Sequence, residues 1–180
     1  MVLGVKGNIM KTLILGGVKS GKSRYAENLA SAISASVTVI ATATVMDEEM
    51  AIRIARHKEG RPASWVTIEE SMHLGEVLRT IKTADVVVID CLTLWLTNLL
   101  IHPDSNKLNE EIDAFEQAIK VINFPLILVS NETNMGVVPL GDLTRKYCDQ
   151  VGLLHQRLAT VCDRVQLIVA GLPLTLKSDE

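Results

Sequence analysis

The fold is decided by the stretch Gly16-Gly17-Val18-Lys19-Ser20-Gly21-Lys22-Ser23, which has the spacing Gly-x-x-x-x-Gly-Lys-Ser. An apolar run at residues 12–15 predicts a strand before it, and residues 24–30 predict a helix after it. In such a phosphate loop, backbone N–H groups and the helix N-terminus surround phosphate oxygens. Lys22 is expected to contact the outer phosphates and the Ser23 hydroxyl to ligate Mg²⁺. An accidental glycine-rich turn is the alternative, but the flanking strand and helix favour a nucleoside triphosphate site over Gly16 to Ser23.

Length and composition predict one domain. The chain has 180 residues, of which 48% are hydrophobic and 22% charged, which is ordinary for an α/β protein. We expect one nucleotide-binding domain over residues 1–180, with residues 1–10 as an N-terminal extension. The net charge of −3 gives no overall field that would attract nucleic acid or an anionic membrane. Neither is therefore an expected partner.

The cysteines and the apolar segments bear on localisation. Three widely spaced cysteines without a Cys-x-x-Cys pair are typical of buried thiols in a reducing compartment: Cys91, Cys148 and Cys162. Residues 1–10 lack the continuous apolar core of a signal peptide. Residues 92–101 are the most apolar later stretch, but a spanning helix needs about 20 residues. We therefore expect a cytoplasmic protein without membrane insertion.

Strand patterns alternate with helical patterns along the rest of the chain. Strands are predicted at residues 36–41, 65–69, 85–90, 125–130 and 164–170, with an edge strand at 174–177. Helices are predicted at residues 47–58, 74–82, 92–101 and 108–122, and a last one to residue 161 that Asp142 caps. This alternation implies right-handed crossovers and a mostly parallel sheet. The expected fold is a three-layer α/β P-loop domain, similar to recombinase-like ATPases, with an antiparallel edge strand.

A second part of the phosphate site is predicted at Asp90, which ends an apolar strand. An acid in that place has the form of a Walker B motif, whose carboxylate holds Mg²⁺ directly or through water. The alternative is an aspartate that caps a turn, and the phosphate loop upstream argues against it. Asp90 and Ser23 are therefore the predicted metal ligands.

α/β sheets bind small molecules at the carboxyl ends of their strands. The strand at 36–41 ends just before Thr42, Ala43 and Thr44, so these three residues are predicted to contact the nucleotide.

Residues 53–62 crowd basic side chains and one imidazole, His57, at the end of a predicted helix. His57 falls at the edge of the buried face of that helix, so a structural histidine near a helix C-terminus is the simplest interpretation from the residues alone. The alternative is a nucleophile on phosphorus, with Lys58 and Arg61 stabilising phosphate charge. The other histidines, His73, His102 and His155, are isolated in the sequence and are predicted to be surface or packing residues.

Several stretches together resemble one family. The following occur in this order after the phosphate loop: Ala41-Thr42-Ala43, Asp47-x-Glu49-Met50, Arg53-Ile54-x-x-His57-Lys58-x-Gly60-Arg61-Pro62, Trp65-x-Thr67-x-Glu69 and Asn131-Glu132-x-x-Met135-Gly136-x-Val138-Pro139. From about residue 11 onward, the chain resembles the bifunctional adenosylcobinamide kinase/adenosylcobinamide-phosphate guanylyltransferases of cobalamin biosynthesis. Lys19 departs from the family pattern, which usually has arginine there.

The resemblance implies two reactions. A nucleoside triphosphate, ATP or GTP, first phosphorylates the aminopropanol hydroxyl of adenosylcobinamide. GTP then donates GMP to a histidine, and adenosylcobinamide phosphate takes the GMP to give adenosylcobinamide-GDP. The matching histidine is His57, so the resemblance implies a catalytic role for it beside Lys22. The same matching places Lys58, Glu59, Gly60, Arg61 and Glu69 around the nucleotide, and it implies a homotrimer.

Two other functions fit parts of the sequence. A monofunctional P-loop small-molecule kinase would use the phosphate loop and leave His57 structural. A GTP-binding switch without synthetic activity would also use the loop, but the guanine motif Asn-Lys-x-Asp is absent from the sequence. Formation of a nucleotidyl-histidine distinguishes the bifunctional enzyme from both.

Overall fold

The computed structural model describes residues 9–44 and 61–178. The predicted helix at 47–58 and most of the N-terminal extension lie outside the described residues. Four predicted site residues lie outside them as well: His57, Lys58, Glu59 and Gly60.

The described residues contain seven strands and five helices, and each predicted element within them is confirmed. The strands are β1 (Lys11–Gly16), β2 (Thr38–Ala41), β3 (Val66–Glu69), β4 (Val87–Asp90), β5 (Leu126–Asn131), β6 (Arg164–Val169) and β7 (Leu172–Ser178). The helices are α1 (Lys22–Ile33), α2 (Leu74–Thr80), α3 (Leu92–Leu100), α4 (Lys107–Val121) and α5 (Asp142–Val161).

One detail of α5 differs from the prediction. Asp142 does not cap this helix, because the N-cap residue is Gly141 and no side chain caps the first turn. Asp142 lies within that first turn, where a carboxylate still interacts favourably with the helix dipole. Its carboxylate accepts a hydrogen bond from Arg145, one turn further along.

The strands form one sheet in the order β3-β2-β4-β5-β1-β6-β7. All neighbouring pairs are parallel except β6 and β7, which pair antiparallel. The predicted antiparallel edge strand is therefore confirmed, and it begins at Leu172. Strand β1 is the fifth strand and lies between β5 and β6, so the phosphate loop that follows it emerges from the interior of the carboxyl edge of the sheet.

The core occupies both faces of the sheet, because successive strand residues point to opposite sides. On one face, Leu13 and Leu15 pack with the apolar sides of α2, α3, α4 and α5. On the other, Ile14 packs with α1. The result is the predicted three-layer arrangement. Across residues 9–44 and 61–178, no helix is long and apolar enough to cross a bilayer.

The helices on the larger face pack closely. Trp95 is fully buried, its ring centroid is 5.1 Å from that of Phe115, and its Nε1 donates a hydrogen bond of 2.7 Å to the Met72 carbonyl oxygen. A Cβ atom on Gly75 of α2 would lie 2.6 Å from the carbonyl carbon of Ala114 on α4. Glycine at this position therefore allows the backbones of the two helices to approach directly.

Candidate active site

The phosphate loop connects β1 to α1 with two residues in the left-handed backbone region. Lys19 has a φ of 57° and Gly21 a φ of 95°. The Ser20 N–H donates to the Gly17 carbonyl oxygen at 3.2 Å, so the loop closes on itself before α1 begins. Left-handed residues in such a loop help to turn backbone N–H groups toward one concavity, which suits an anion. Val18 is 78% exposed at the outer side of the loop.

The turn between β6 and β7 supports the loop from beneath. The Gly171 N–H donates to the Ser20 carbonyl oxygen at 2.8 Å. A Cβ on Gly16 would lie 2.8 Å from the Ile168 carbonyl oxygen and 2.5 Å from Ser20 Oγ. Ser20 Oγ is buried and has no hydrogen-bond partner among the described residues. The loop conformation therefore depends on β6 as well as on its own sequence.

Lys22 extends back across the loop. Its Nζ donates a hydrogen bond of 3.2 Å to the Gly17 carbonyl oxygen. Burial lowers the pKa of Lys22 below its usual value, while the charges of Cys91 and Asp90 act in the opposite direction. Asp90 is thus close enough to stabilise the charged form of Lys22. The predicted phosphate cation and the predicted Walker B carboxylate belong to one electrostatic cluster.

Asp90 ends β4, beside Ala41 of β2 and Val129 of β5 in the sheet register. Nη2 of Arg61 lies 3.9 Å from its Oδ2, and the two side chains are 8% and 17% exposed. That distance is too long for a hydrogen bond but close for two charges. Arg61 Nε is buried and has no hydrogen-bond partner in residues 9–44 and 61–178. The structure therefore places the end of the basic stretch at residues 53–62 beside the predicted metal site.

The other predicted nucleotide contacts lie further along the sheet edge. Thr42 is fully buried, and its hydroxyl accepts from the Cys91 N–H at 2.9 Å and donates to the Cys91 carbonyl oxygen at 2.6 Å. Ala43 and Thr44 follow it and are more exposed. Glu69 ends the edge strand β3, four strand spacings of about 4.8 Å from β1. It is therefore about 19 Å from the phosphate loop.

A magnesium ion would find suitable ligands in this cluster. Hydroxyl and carboxylate oxygens, such as those of Ser23 and Asp90, are the donors that Mg²⁺ prefers, and the ion usually takes its remaining ligands from water and substrate phosphates. No group of three or more His, Cys, Asp or Glu side chains able to hold a metal occurs in the described part of the chain.

Sequence reasoning missed a polar cluster next to Asp90. Thr93 Oγ1 lies 3.0 Å from Cys91 Sγ and accepts a hydrogen bond of 3.2 Å from Asn131 Nδ2. Asn131 pairs with Gly16 in the register of β5 and β1. Burial and, to a smaller extent, the charge of Cys91 together raise the pKa of the Tyr147 phenol to about 12. Interactions with the hydroxyls of Thr133 and Thr93 act in the opposite direction and lower this pKa. Thr93 and Tyr147 were not identifiable because both lie within apolar helical patterns.

One of the histidines, His155, has polar partners that the sequence did not indicate. His155 is buried, as expected of a packing residue, but it is not isolated. Its Nε2 lies 2.7 Å from Ser130 Oγ, and its Nδ1 lies 3.6 Å from Oε2 of Glu132. The Glu132 N–H donates to the Gly16 carbonyl oxygen at 3.0 Å. Ser130 is fully buried, so this serine, histidine and carboxylate set links α5 to the phosphate loop and offers no accessible nucleophile.

The chain is similar in sequence to one protein family and to named proteins of two bacteria. The profile of the family described as cobinamide kinase / cobinamide phosphate guanyltransferase matches residues 12–176. The bifunctional adenosylcobalamin biosynthesis protein CobP of Pseudomonas aeruginosa is 50% identical over 171 residues, which cover 94% of this chain and 99% of that protein. The protein CobU of Escherichia coli, described in the same words, is 40% identical over 93% of this chain and 100% of its own length.

Solved structures show the same fold at low sequence identity. The flagellar accessory protein FlaH from Methanocaldococcus jannaschii is 16% identical with a TM-score of 0.54, over 94% of this chain and 79% of its own. The RadB recombinase is 17% identical with a TM-score of 0.52, over 88% of this chain and 73% of its own. These similarities confirm the predicted recombinase-like P-loop fold and bear on the fold alone.

Proposed function

Because this chain belongs to the cobinamide kinase/cobinamide phosphate guanyltransferase family and has both activities of that family, we propose that one phosphate site, formed by the phosphate loop and Asp90, serves both reactions. The observation that carries this proposal is the cluster of Lys22, Asp90 and Arg61 at the mouth of the loop. The alternatives of a monofunctional kinase and a GTP switch gain no support from the relatives, which are bifunctional by name.

In the kinase reaction, the loop from Gly16 to Ser23 binds the phosphates of ATP or GTP, and adenosylcobinamide is the acceptor. The left-handed residues Lys19 and Gly21 turn backbone N–H groups toward the phosphate oxygens. Lys22 leaves the Gly17 carbonyl and contacts the outer phosphates. Ser23 and Asp90 would hold Mg²⁺, which would neutralise phosphate charge when bound. Thr42, Ala43 and Thr44 border the same edge of the sheet.

In the guanylyl transfer, His57 is the nucleophile that receives GMP from GTP. Arg61 supports this assignment, because it follows His57 by four residues and lies beside Asp90. Arg61 and Lys58 stabilise the charge that develops on the phosphates. Glu59 and Gly60 complete the nucleotide contacts.

Glu69 is assigned to the guanine base. Its carboxylate has the acceptors that match the N1–H and amino group of guanine, which adenine does not present together. Glu69 is about 19 Å from β1. It therefore lies far from the phosphate loop, on the strand at one end of the sheet. We propose this role for GTP bound for guanylyl transfer, with the acceptor adenosylcobinamide phosphate.

The test uses two labelled nucleotides on the whole enzyme. With α-labelled GTP and Mg²⁺, wild type is expected to retain acid-labile label after denaturation, and His57→Ala to retain none. His73→Ala is the matched control, since it removes a half-exposed imidazole that contacts Glu111, and it should keep the label. With γ-labelled ATP and cobinamide, His57→Ala should remain a kinase, whereas Lys22→Ala should lose both activities. Label that persists on His57→Ala would refute the assignment.

We also propose that the enzyme is a cytoplasmic homotrimer of single-domain subunits. The trimer is supported by the family resemblance alone, and the compartment by three cysteines without a disulfide. Sedimentation equilibrium of the purified protein tests the trimer directly. A mass of one or two chains would contradict it.

A further inference from the structure

An apolar cleft opens between α3 and α5, outside the nucleotide contacts described above. Its volume is about 250 Å³, and it is lined by Thr97, Leu100, Ile101, Leu143, Thr144 and Tyr147. Two of these side chains are large apolar groups at the surface, since Ile101 is 53% exposed and Leu143 is 58% exposed. Apolar side chains at the mouth of an apolar cleft are typical of a ligand site with few polar contacts.

One end of the cleft meets the phosphate site. Thr97 lines the cleft, and its hydroxyl donates a hydrogen bond to the carbonyl oxygen of Thr93. Thr93 contacts both Cys91, which follows Asp90, and Asn131, which pairs with Gly16 of the phosphate loop. The wall of the cleft is thus continuous with the polar cluster beside the predicted metal site.

The two helices set the direction of the cleft. Thr97 lies one turn after Thr93 on α3, and its Oγ1 donates to the Thr93 carbonyl oxygen at 2.9 Å. Leu143 lies one turn before Tyr147 on α5. Residues four apart share one face of a helix, so the cleft extends away from Thr93 and Tyr147. A ligand in the cleft would have its inner end at the phosphates and its outer end at the surface.

We propose that this cleft binds the acceptor substrate of the kinase reaction, with the aminopropanol arm inside it and the arm's hydroxyl group at Thr93 and Tyr147. The inference rests on the kinase activity of the family and assigns the corrinoid side of the site. A volume of about 250 Å³ is below the roughly 300–1,000 Å³ of pockets that enclose a drug-sized ligand. This accommodates the arm but not a corrin ring. The ring therefore lies at the mouth, against the exposed side chains of Ile101 and Leu143.

This placement suits the chemistry of the transfer. The arm's hydroxyl oxygen forms a bond to the γ-phosphorus, and the bond from that phosphorus to the β–γ bridging oxygen breaks. The nucleoside diphosphate leaves with the electron pair, and the hydroxyl proton passes to the transferred phosphoryl group or to water. Because burial raises the pKa of Tyr147 to about 12, its phenol stays protonated at neutral pH. It orients the hydroxyl by hydrogen bonding and does not act as a base.

The test separates the acceptor from the nucleotide. Leu143→Gln and Ile101→Gln should each raise the KM for cobinamide on the order of tenfold, by loss of apolar contact, and leave the KM for the triphosphate unchanged. Leu153→Gln is the matched control, since Leu153 is also on α5, is 53% exposed and does not line the cleft. Tyr147→Phe should lower kcat with cobinamide and leave nucleotide affinity intact.

Guanylylation of the enzyme by α-labelled GTP needs no cobinamide, so the cleft variants should keep the label. Loss of the label would show failure of the nucleotide site, which is a failure of the proposed function. An unchanged KM for cobinamide in both glutamine variants would overturn the cleft assignment. A lower mass in sedimentation for the cleft variants, but not for Leu153→Gln, would overturn it too, because a second copy of the chain would then cover the cleft.

Discussion

The two adjacent glycines of the phosphate loop should respond very differently to alanine. A Cβ on Gly16 would lie 2.8 Å from the Ile168 carbonyl oxygen, whereas a Cβ on Gly17 would meet nothing within 4 Å. Neither glycine has a positive φ, so alanine strains neither backbone. The difference in stability between Gly16→Ala and Gly17→Ala therefore reports the close packing between β1 and β6.

The size of the effect follows from which atoms would have to move. Ser20 Oγ, at 2.5 Å from the same Cβ, can rotate away at little cost. The Ile168 oxygen cannot, because Ile168 pairs with Gly16 in the sheet. A normal contact between carbon and oxygen needs about 3.3 Å, so β6 must shift by about half an ångström. Overpacking of this kind costs about 1–3 kcal/mol.

The assay is thermal denaturation of the nucleotide-free enzyme, followed by circular dichroism. For a chain of this length, about 1 kcal/mol corresponds to roughly 2–4 °C, so Gly16→Ala should lower the Tm by about 2–12 °C. Gly17→Ala should stay within about 0.5 kcal/mol of wild type or gain slightly, since alanine reduces the entropy of the unfolded chain. Equal Tm values for the two variants would refute the packing argument.

Three further predictions concern stability. Burial lowers the pKa of His155 below its ordinary 6.5, so as the pH falls the imidazole is protonated in the unfolded chain before it is protonated in the folded one. The free energy of unfolding should therefore decrease from about pH 7 to 5, and this decrease should be smaller in His155→Gln. Gly75→Ala should cost about 1–3 kcal/mol or more, measured by urea denaturation, because its Cβ would lie 2.6 Å from a backbone atom of Ala114. Asn98→Ala should cost about 1–3 kcal/mol in the same assay, because the buried carbonyl oxygen of Thr42 and the partly buried one of Ser71 both lose the Asn98 amide donor. A pH profile parallel to wild type, or unchanged urea midpoints, would contradict these expectations.

The strands and the phosphate loop were predictable because each has a local signal. Buried parallel strands are continuous apolar runs, and the glycine spacing of residues 16–23 follows from the backbone shape that phosphates need. Asp90 was predictable for the same reason, since it follows directly from such a run. The order of strands was not predictable in detail, because nothing local states that β1 lies between β5 and β6.

The polar cluster at Thr93, Asn131 and Tyr147 depends on three elements that are far apart in the sequence. Thr93 and Tyr147 occupy helices whose dominant pattern is apolar. That pattern does not distinguish an inward-facing hydroxyl from its apolar neighbours. His155 is a similar case, because its partners Ser130 and Glu132 come from β5 and the loop after it. Long-range pairs of this kind have no period or spacing, so only the structure reveals them.

The support of the phosphate loop by the last part of the chain bears on synthesis of the protein. Strands β5 and β6 flank β1, and the Gly171 N–H donates to Ser20 of the loop. All three leave the ribosome long after the loop itself. A nascent chain that ends before β5 therefore has the complete glycine motif but no scaffold for it, and it exposes an apolar strand with both edges unpaired. Nucleotide capture should thus begin only once β6 and its turn have emerged, which makes bound triphosphate a marker of completed folding.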